Sequence, residues 1–364
     1  MSRPFDPFEG GEYILHREKK FTLKRKVQPL RKSLLGATEP WSMVSIFFRE
    51  SAEREMKKRG IVKTSAKLKR ARAFLEQSQE FFSASKEASH KSAPMLIYYS
   101  MLNFAKAIIE LYKVKPNFYT HGISVPELPS WARLRLAKVK LQPKGVFKEL
   151  ADLIGFSYKR GEQISGEQIF VNCPGCLHEV KSVLNRNTQR VFINGIGILS
   201  NSYDKCIDCW VEKEEATRLT SRRIGKLVDL ICVATGMKWV SSSSPKYWLR
   251  FQTEPQGFRG KKARDKLFDW LETQHVWIEQ IFFAEKSSYC IRVKQSNLAP
   301  LPSTIAIYLG MFYLNHLSRY CPDHLERLVF HKDYHLAQVF MGTQPIEFFL
   351  ALASHAIGAD FYYV

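Results

Sequence analysis

The fold of this chain follows mainly from one segment, Ser92-Ala-Pro-Met-Leu-Ile-Tyr-Tyr-Ser-Met-Leu-Asn-Phe-Ala-Lys-Ala107. Ser92 stands at an N-cap position, and Pro94 falls in the first turn, where a missing N–H is tolerated. Apolar residues then recur at helical spacing as far as Leu111. The segment therefore predicts a helix over 94–113. The small residues that follow its two tyrosines suit a close crossing with a second helix.

Further helices are predicted on both sides of this segment. A helix over 66–88 has an apolar face and an opposite basic face, and with the helix after it would form a helical hairpin. An earlier helix is predicted over 41–59, with Gly60 supplying a left-handed C-terminal residue. The C-terminal part predicts helices over 302–320 and 345–357. Together these helices predict a helical core that is formed by both ends of the chain.

The charge of the chain indicates an anionic partner. Among 364 residues there are 55 Lys and Arg against 35 Asp and Glu, a formal net charge of +20. Such a surplus favours RNA, DNA or an acidic membrane surface without giving specificity. An apolar fraction of 45% argues against general disorder. The basic side chains that we assign to nucleic-acid binding are Lys24, Arg25, Lys26, Arg133, Arg135, Lys138, Lys140, Arg259, Lys261 and Lys262.

The sequence does not predict a membrane protein. The most apolar run, Ile305 to Leu317, is too short to span a bilayer and contains Asn315 and His316. Seven cysteines without a secretory signal fit a reducing compartment. We therefore expect a soluble, cytoplasmic protein with no membrane partner.

Two C-x-x-C pairs predict a zinc site. Cys173 and Cys176 flank Pro-Gly, while Cys206 and Cys209 flank Ile-Asp. Two such pairs can supply the four thiolates of a structural, tetrahedral zinc site. Residues 190–199 between them predict a β-hairpin, as in a zinc ribbon. The spacing is longer than usual, so reduced thiols without metal and a redox pair remain alternatives.

One short motif could carry chemistry. The sequence has no P-loop and no G-x-G-x-x-G, H-E-x-x-H or G-x-S-x-G motif. It does have Arg319-Tyr-Cys-Pro-Asp-His324 between two predicted helices. A histidine there could move the proton of an RNA 2′-hydroxyl, and the guanidinium could stabilise the charge that develops on the phosphorane. The alternative is structural, because an arginine at a helix end commonly caps carbonyl groups.

Four segments resemble the bacterial YaaC-like family. In order and spacing they cover most of the chain outside the cysteine segment, which looks like an addition to the family pattern. The resemblance brings no settled activity, and within it the arginine is more regular than the histidine that follows. The segments are 92–107, Thr120-His-Gly-Ile123, Gly145-Val-Phe-Lys-Glu-Leu150 and Leu309-Gly-Met-Phe-Tyr-Leu-Asn-His-Leu-Ser-Arg-Tyr320.

At a greater remove, the helix over 94–113 and the amphipathic helix before it look like the HEPN helical bundle. Many HEPN proteins are dimeric, metal-independent ribonucleases with an R-x4–6-H motif, serving as toxins or phage-defence effectors, and others are inactive scaffolds. The resemblance implies Arg319 as phosphate stabiliser, His324 as general acid and base, and a homodimer. Tyr320 and Pro322 depart from that pattern and put the two catalytic assignments in doubt.

The sequence thus predicts a mainly α protein: a HEPN-like helical bundle formed by both ends of the chain, with a central mixed α/β segment containing a zinc-ribbon-like insertion. We expect it to bind nucleic acid, RNA above all, through its basic surface. The alternatives are a metal-independent endoribonuclease and a non-catalytic scaffold for a partner protein. The expected divisions are a basic arm over 1–37, the helical core over 38–160 and 216–364, and the insertion over 165–215.

Overall fold

The structure, a computed structural model, describes residues 39–126, 133–186 and 301–357, the strands given below, and 228–229, 231–233 and 298. Backbone proximity divides the chain into two compact units. The helical unit comprises Leu30–Thr188 and Leu301–Gly358, and the strand unit comprises Met1–Pro29, Gln189–Pro300 and Ala359–Val364.

The described part of the helical unit is mainly α-helical, as predicted. Two 3-10 turns, Leu134–Leu136 and Pro174–Cys176, accompany the helices. The helices are α1 (Glu39–Glu50), α2 (Ala52–Lys58), α3 (Thr64–Glu87), α4 (Ala93–Tyr112), α5 (Val146–Leu153), α6 (Gly166–Phe170), α7 (Leu177–Leu184), α8 (Ser303–Tyr320), α9 (Pro322–Val329) and α10 (Asp333–Ile357).

The described strands form four small sheets, and the pairings within the three larger ones are antiparallel. Their orders are β1-β7-β8-β10-β9, β11-β12-β6, β13-β2 and β3-β4-β5, and the last belongs to the helical unit. In chain order the strands are β1 (Gly11–Leu15), β2 (Val27–Leu30), β3 (Ile123–Ser124), β4 (Lys138–Leu141), β5 (Gln163–Ser165), β6 (Arg190–Ile193), β7 (Gly195–Ser200), β8 (Lys205–Glu212), β9 (Lys238–Val240), β10 (Trp248–Gln252), β11 (Ile278–Phe283), β12 (Lys286–Arg292) and β13 (Asp360–Tyr363).

Helix α4 lies at the centre of the helical unit. It packs along α3, which confirms the predicted hairpin, and it also contacts α5, α8 and α10. Tyr98, Phe104 and Ile108 of α4 are fully buried. Burying an apolar side chain of this size stabilises a fold by about 1.5–3 kcal/mol. The apolar residues that predicted this helix are therefore the ones that hold both ends of the chain together.

Trp41 fixes α1 to the same core. Its Nε1 donates a hydrogen bond to Ser78 Oγ on α3 at 2.8 Å. Its ring centroid lies 4.5 Å from that of Phe349 on α10 and 5.1 Å from that of Phe82 on α3. A buried indole combines a large apolar area with one N–H that needs a partner, and both requirements are met here.

Two predicted helix boundaries were wrong. The helix predicted over 41–59 is interrupted at Ser51, which separates α1 from α2. The last helix does not begin at Pro345, because α10 runs through this proline from Asp333. An interior proline costs a helix about 3 kcal/mol. Apolar residues on both sides of it, among them Phe340 and Phe348, are fully buried and outweigh that cost.

The hairpin predicted over 190–199 was also wrong in its pairing. Both halves are strands, but β6 pairs with β12 while β7 pairs with β1 and β8. Two strands that are joined by a short connection can belong to different sheets when each of them can pair with a longer strand elsewhere. β7 finds such a partner in β8, with which it pairs over its whole length from Gly195 to Ser200.

The unit boundaries divide the cysteine segment expected over 165–215. Its first part, with α6, the 3-10 turn Pro174–Cys176 and α7, belongs to the helical unit. Its second part, with β6, β7 and β8, belongs to the strand unit. α6 contacts α8 and α7 contacts α10. These contacts explain why the first part belongs with the helices.

Helix α10 is long and apolar enough to cross a membrane by length and composition alone. However, 61% of its most apolar window is buried inside the protein. Among the described residues, it therefore has the character of a core helix.

Candidate nucleic-acid interface

Arg319 lies where α8 ends against α4. Its Nη1 donates a hydrogen bond to Tyr99 Oη. The guanidinium carbon is 5.6 Å from the centroid of the Tyr99 ring and 4.9 Å from that of the Tyr320 ring. Arg319 and Tyr320 are exposed, and Tyr99 is half-buried. A cation close to two aromatic rings is attracted to both, so Arg319 presents a positive charge at the surface beside Tyr99 and Tyr320.

A histidine stands beside this arginine. The ring centroid of His121 lies 6.4 Å from that of Tyr99 and 5.6 Å from that of Tyr98. Tyr98 Oη is 2.8 Å from His121 Nδ1 and 3.4 Å from Tyr308 Oη on α8. Tyr98 and Tyr308 are fully buried, whereas His121 is half-buried. The imidazole is therefore within hydrogen-bond distance of one member of a buried tyrosine pair, and it lies beside the surface that carries Arg319.

The backbone of His121 is anchored to the start of α5. The N–H groups of Val146 and Phe147 each donate at 3.0 Å, to the carbonyls of Thr120 and His121 respectively. Unpaired N–H groups of a helix N-terminus are the natural partners of such carbonyls. The hydrogen bonds fix the backbone of His121 against the first turn of α5.

Two glycines make this close approach possible. Gly122 has φ +79°, and Gly145 has φ +108°. A Cβ atom on Gly145 would lie 2.6 Å from both Gly122 N and Thr120 O. Only glycine fits such a position without moving the backbone.

The surroundings of His121 keep its imidazole neutral. Burial lowers its pKa, and the positive charges of Lys106 and Arg319 lower it further. The pKa of Tyr98 is raised well above its usual value, mainly by burial and also by the neighbouring Tyr308. At neutral pH the site thus combines an uncharged imidazole, an uncharged phenol and a cationic guanidinium.

A second cation extends the same surface along α4. Lys106 Nζ is 5.3 Å from the ring centroid of Phe74 and 6.0 Å from that of Phe118. Partial burial lowers its pKa. We call the partly exposed aromatic and cationic side chains of this region the Tyr99 face; they are Phe74, Tyr99, Lys106, Phe118, His121, Arg319 and Tyr320.

The predicted partner of Arg319 lies in the first turn of α9. The backbone N–H of His324 donates to Cys321 O at 2.9 Å, and its side chain is half-buried. Its Nδ1 is buried without a hydrogen-bond partner among the described residues. No hydrogen bond or ring contact within 301–357 joins Arg319 to His324. The catalytic assignment of this pair stays a prediction.

The predicted basic clusters are described in part. Arg133, Arg135 and Lys138 are exposed and Lys140 is half-buried, around the 3-10 turn Leu134–Leu136 and β4. The other members, Lys24, Arg25, Lys26, Arg259, Lys261 and Lys262, lie outside the described residues.

The cysteine pairs occupy two kinds of local structure. Cys173 and Cys176 are buried, Cys173 Sγ donates to Ile169 O at 3.3 Å, and burial raises the pKa of Cys176 well above its usual value. Cys206 and Cys209 lie on β8, paired with Leu199 and Ile196 of β7. Positions three apart on a strand belong to opposite faces of a sheet. Within the described residues there is no cluster of three metal-ligating side chains, and the zinc site stays a prediction.

The sequence did not assign Tyr98 to the site, because the Tyr-Tyr pair was interpreted as packing. It predicted a turn at His121-Gly122 whose imidazole could pack or reach the site. The combination of a histidine, a following glycine and a second glycine 23 residues later is visible in the sequence. Only the fold shows that the two glycines touch and that the histidine meets the end of α8.

The fold and this face define a mainly helical protein with an aromatic and cationic surface at its core hairpin. The chain belongs to the YaaC-like protein family, whose model matches residues 40–356. No curated protein and no solved structure matches it significantly.

Proposed function

We propose that this protein binds single-stranded RNA through the Tyr99 face. The observation that carries the proposal is the exposed Arg319 guanidinium, which lies close to the rings of both Tyr99 and Tyr320. An exposed, immobilised guanidinium retains N–H groups for a phosphate. The net charge of +20 supports an anionic partner of this kind.

Exposed aromatic rings favour a strand with unpaired bases. Tyr320 is 61% exposed and Tyr119, next to Phe118, is 96% exposed. Stacking of a base on such a ring contributes about 1–3 kcal/mol and requires a base face that a duplex keeps inside its own stack. Lys106 and Arg319 supply cations among these rings, which is the combination that single-stranded nucleic-acid binders use.

The test is equilibrium binding of a fluorescent, unstructured RNA to the full chain and two arginine variants. Arg319→Ala should weaken binding by about tenfold, equivalent to ~1.4 kcal/mol. It should also reduce the slope of log Kd against log salt by about one phosphate contact.

Arg59→Ala is the matched control. Arg59 also stacks on a tyrosine, with its guanidinium 3.7 Å from the Tyr112 ring centroid, but it lies outside the Tyr99 face. It should leave affinity unchanged. Equal losses in both variants, or equal affinity for duplex RNA and single strands, would contradict the proposal.

A HEPN-like arrangement of the bundle, a zinc-ribbon-like insertion and a homodimer stay predictions from the sequence and its resemblances. A cytoplasmic site and a role in phage defence are predictions of the same kind. The exposed Arg133, Arg135 and Lys138 would extend the RNA-binding surface of the helical unit.

A further inference from the structure

Both the backbone and the ring of His121 make contacts with the helical unit. Its carbonyl is held by Phe147 N–H at 3.0 Å, and its ring is held by Tyr98 at 2.8 Å. The ring also lies against Phe312, with centroids 6.2 Å apart. These contacts leave the imidazole one orientation, with its second nitrogen, Nε2, free of hydrogen bonds among the described residues.

The tyrosine pair allows the imidazole proton of His121 to lie on Nδ1. Tyr98 can donate its hydroxyl proton to Tyr308 Oη, 3.4 Å away, and accept a hydrogen bond from Nδ1–H of His121. In that arrangement Nε2 has a lone pair and can take up a proton. A histidine fixed in this tautomer by a partner on its other nitrogen is a prepared general base.

Arg319 supplies the complementary charge. Both groups lie against the ring of Tyr99, the guanidinium carbon at 5.6 Å and the imidazole centroid at 6.4 Å from its centroid. Arg319 also lowers the pKa of His121 by its charge, which places the two groups within electrostatic reach of each other. A fixed cation beside a neutral base can stabilise negative charge on a phosphate that the base activates.

We infer that the protein cleaves the RNA bound on the Tyr99 face, with His121 as the general base and Arg319 as the phosphate stabiliser. This inference rests on the proposed function. His121 Nε2 accepts the proton of a ribose 2′-hydroxyl while the 2′-oxygen attacks the adjacent phosphorus. The O2′–P bond forms, the P–O5′ bond breaks, and the imidazolium returns its proton to the departing 5′-oxygen. The products are a 2′,3′-cyclic phosphate and a 5′-hydroxyl, and no other reactant is consumed.

The experiment separates binding from cleavage in the full chain. Binding is measured with a 2′-O-methyl RNA, which has no 2′-hydroxyl to activate. Cleavage of the matching RNA is measured in a gel, with 2′,3′-cyclic phosphate identified at the new ends. The variants are His121→Phe, which keeps the ring contacts and removes both nitrogens, and His324→Phe, which removes the histidine of the sequence motif.

The expected result is that His121→Phe slows single-turnover cleavage, measured at saturating protein, by at least about 100-fold, the lower range for a general base. His324→Phe should cleave like the unaltered chain. The cleavage rate of the unaltered chain should rise with pH through a midpoint below the usual histidine value and then level off.

Three results would overturn the inference. They are binding of the 2′-O-methyl RNA without cleavage of RNA, cleavage that survives His121→Phe, and cleavage that is lost only in His324→Phe. The first would leave the proposed RNA binding intact. Failure to bind the 2′-O-methyl RNA would refute the proposed function as well.

Discussion

The hydroxyl of Tyr98 lies 2.8 Å from Nδ1 of His121, although the tyrosine is fully buried and the imidazole reaches the surface. The hydrogen bond links the central helix α4 to a loop at the edge of the helical unit. Tyr308 continues the chain of hydroxyl groups into α8, 3.4 Å from Tyr98 Oη. The packing of α4 against α8 therefore affects the tautomer of His121, a histidine that reaches the surface.

Tyr308→Phe should test this link without touching RNA. Loss of the Tyr308 hydroxyl leaves the Tyr98 proton free to turn toward His121, which moves the imidazole proton to Nε2. We expect RNA affinity to be unchanged and the cleavage rate constant to fall by about tenfold or more, because part of the roughly 10²–10⁴-fold contribution of a general base is lost. Single-turnover kinetics at saturating protein would measure the change.

The matched control for that variant is Tyr112→Phe. The Tyr112 hydroxyl also donates a hydrogen bond, to His355 O at 2.9 Å, but it lies outside the Tyr99 face. Both variants should lose about 1 kcal/mol of unfolding free energy. If the two slow cleavage to the same extent, the tyrosine pair has a structural role only.

Acid should destabilise the folded protein through His121. The folded-state pKa of His121 lies below its unfolded value, chiefly because of burial. The unfolded chain therefore binds more protons, and the stability contributed by neutral His121 is lost as pH falls from about 6.5 through the folded pKa. His316, whose pKa burial also lowers, acts in the same direction.

Urea unfolding at pH 7.5 and 5.0 would measure this loss. His121→Phe should show a smaller decrease between the two pH values than the unaltered chain. This window lies above the range in which exposed carboxylates titrate. An identical decrease in both proteins would show that folding does not lower the pKa of His121.

The loop that carries His121 should depend on Gly145. Gly145→Ala combines a strained φ of +108° with a Cβ that would lie 2.6 Å from backbone atoms of Thr120 and Gly122. We expect a loss of about 2–4 kcal/mol in unfolding free energy, together with weaker RNA cleavage.

Gly155→Ala isolates the cost of the backbone conformation. Gly155 has φ +73°, and nothing lies within 4 Å of its Cβ position. About 1 kcal/mol should be lost there. Equal losses of unfolding free energy at both glycines would mean that the loop around Gly145 rearranges and does not hold His121 firmly.

Periodicity predicted the helices well because it reports burial. The helix predicted over 94–113 is Ala93–Tyr112, and the one predicted over 66–88 is Thr64–Glu87. The prediction failed at Pro345, where local propensity and core packing disagree and packing decides. It failed again for β6 and β7, because β6 pairs with β12 and β7 pairs with β1, strands that are remote from them in sequence.

Of the candidate site, the sequence predicted Arg319 and left the imidazole of His121 to pack or to reach the site. Arg319 was found because an arginine precedes a histidine at a suitable spacing. Its observed partners, Tyr99 and His121, lie 220 and 198 residues earlier in the chain. Contacts over such distances follow from how α4 crosses α8, which no local pattern encodes.

The predicted zinc site can be tested by metal analysis of the purified chain. A four-thiolate site predicts one zinc per chain, lost to a similar degree when any of Cys173, Cys176, Cys206 or Cys209 is changed to Ser. Zinc that survives substitutions on β8 would restrict the ligands to the helical unit. An absence of zinc in protein purified without chelators would favour reduced thiols.

The buried ion pair between α3 and α4 gives a last prediction, about stability alone. Lys67 Nζ lies 2.9 Å from Glu110 Oε2, and both side chains are at most 5% exposed, while Arg70 Nε lies 3.0 Å from Glu110 Oε1 with its side chain 53% exposed. Glu110→Ala would leave the Lys67 charge buried without its carboxylate, which costs about 3–5 kcal/mol. Arg70→Ala removes only a solvent-screened partner and should cost about 0–1 kcal/mol. Replacing both buried partners, in Lys67→Met with Glu110→Leu, should recover most of the loss because no unpaired charge remains. Urea unfolding of the three variants would measure these differences, and equal losses for Glu110→Ala and Arg70→Ala would show that water reaches the buried lysine.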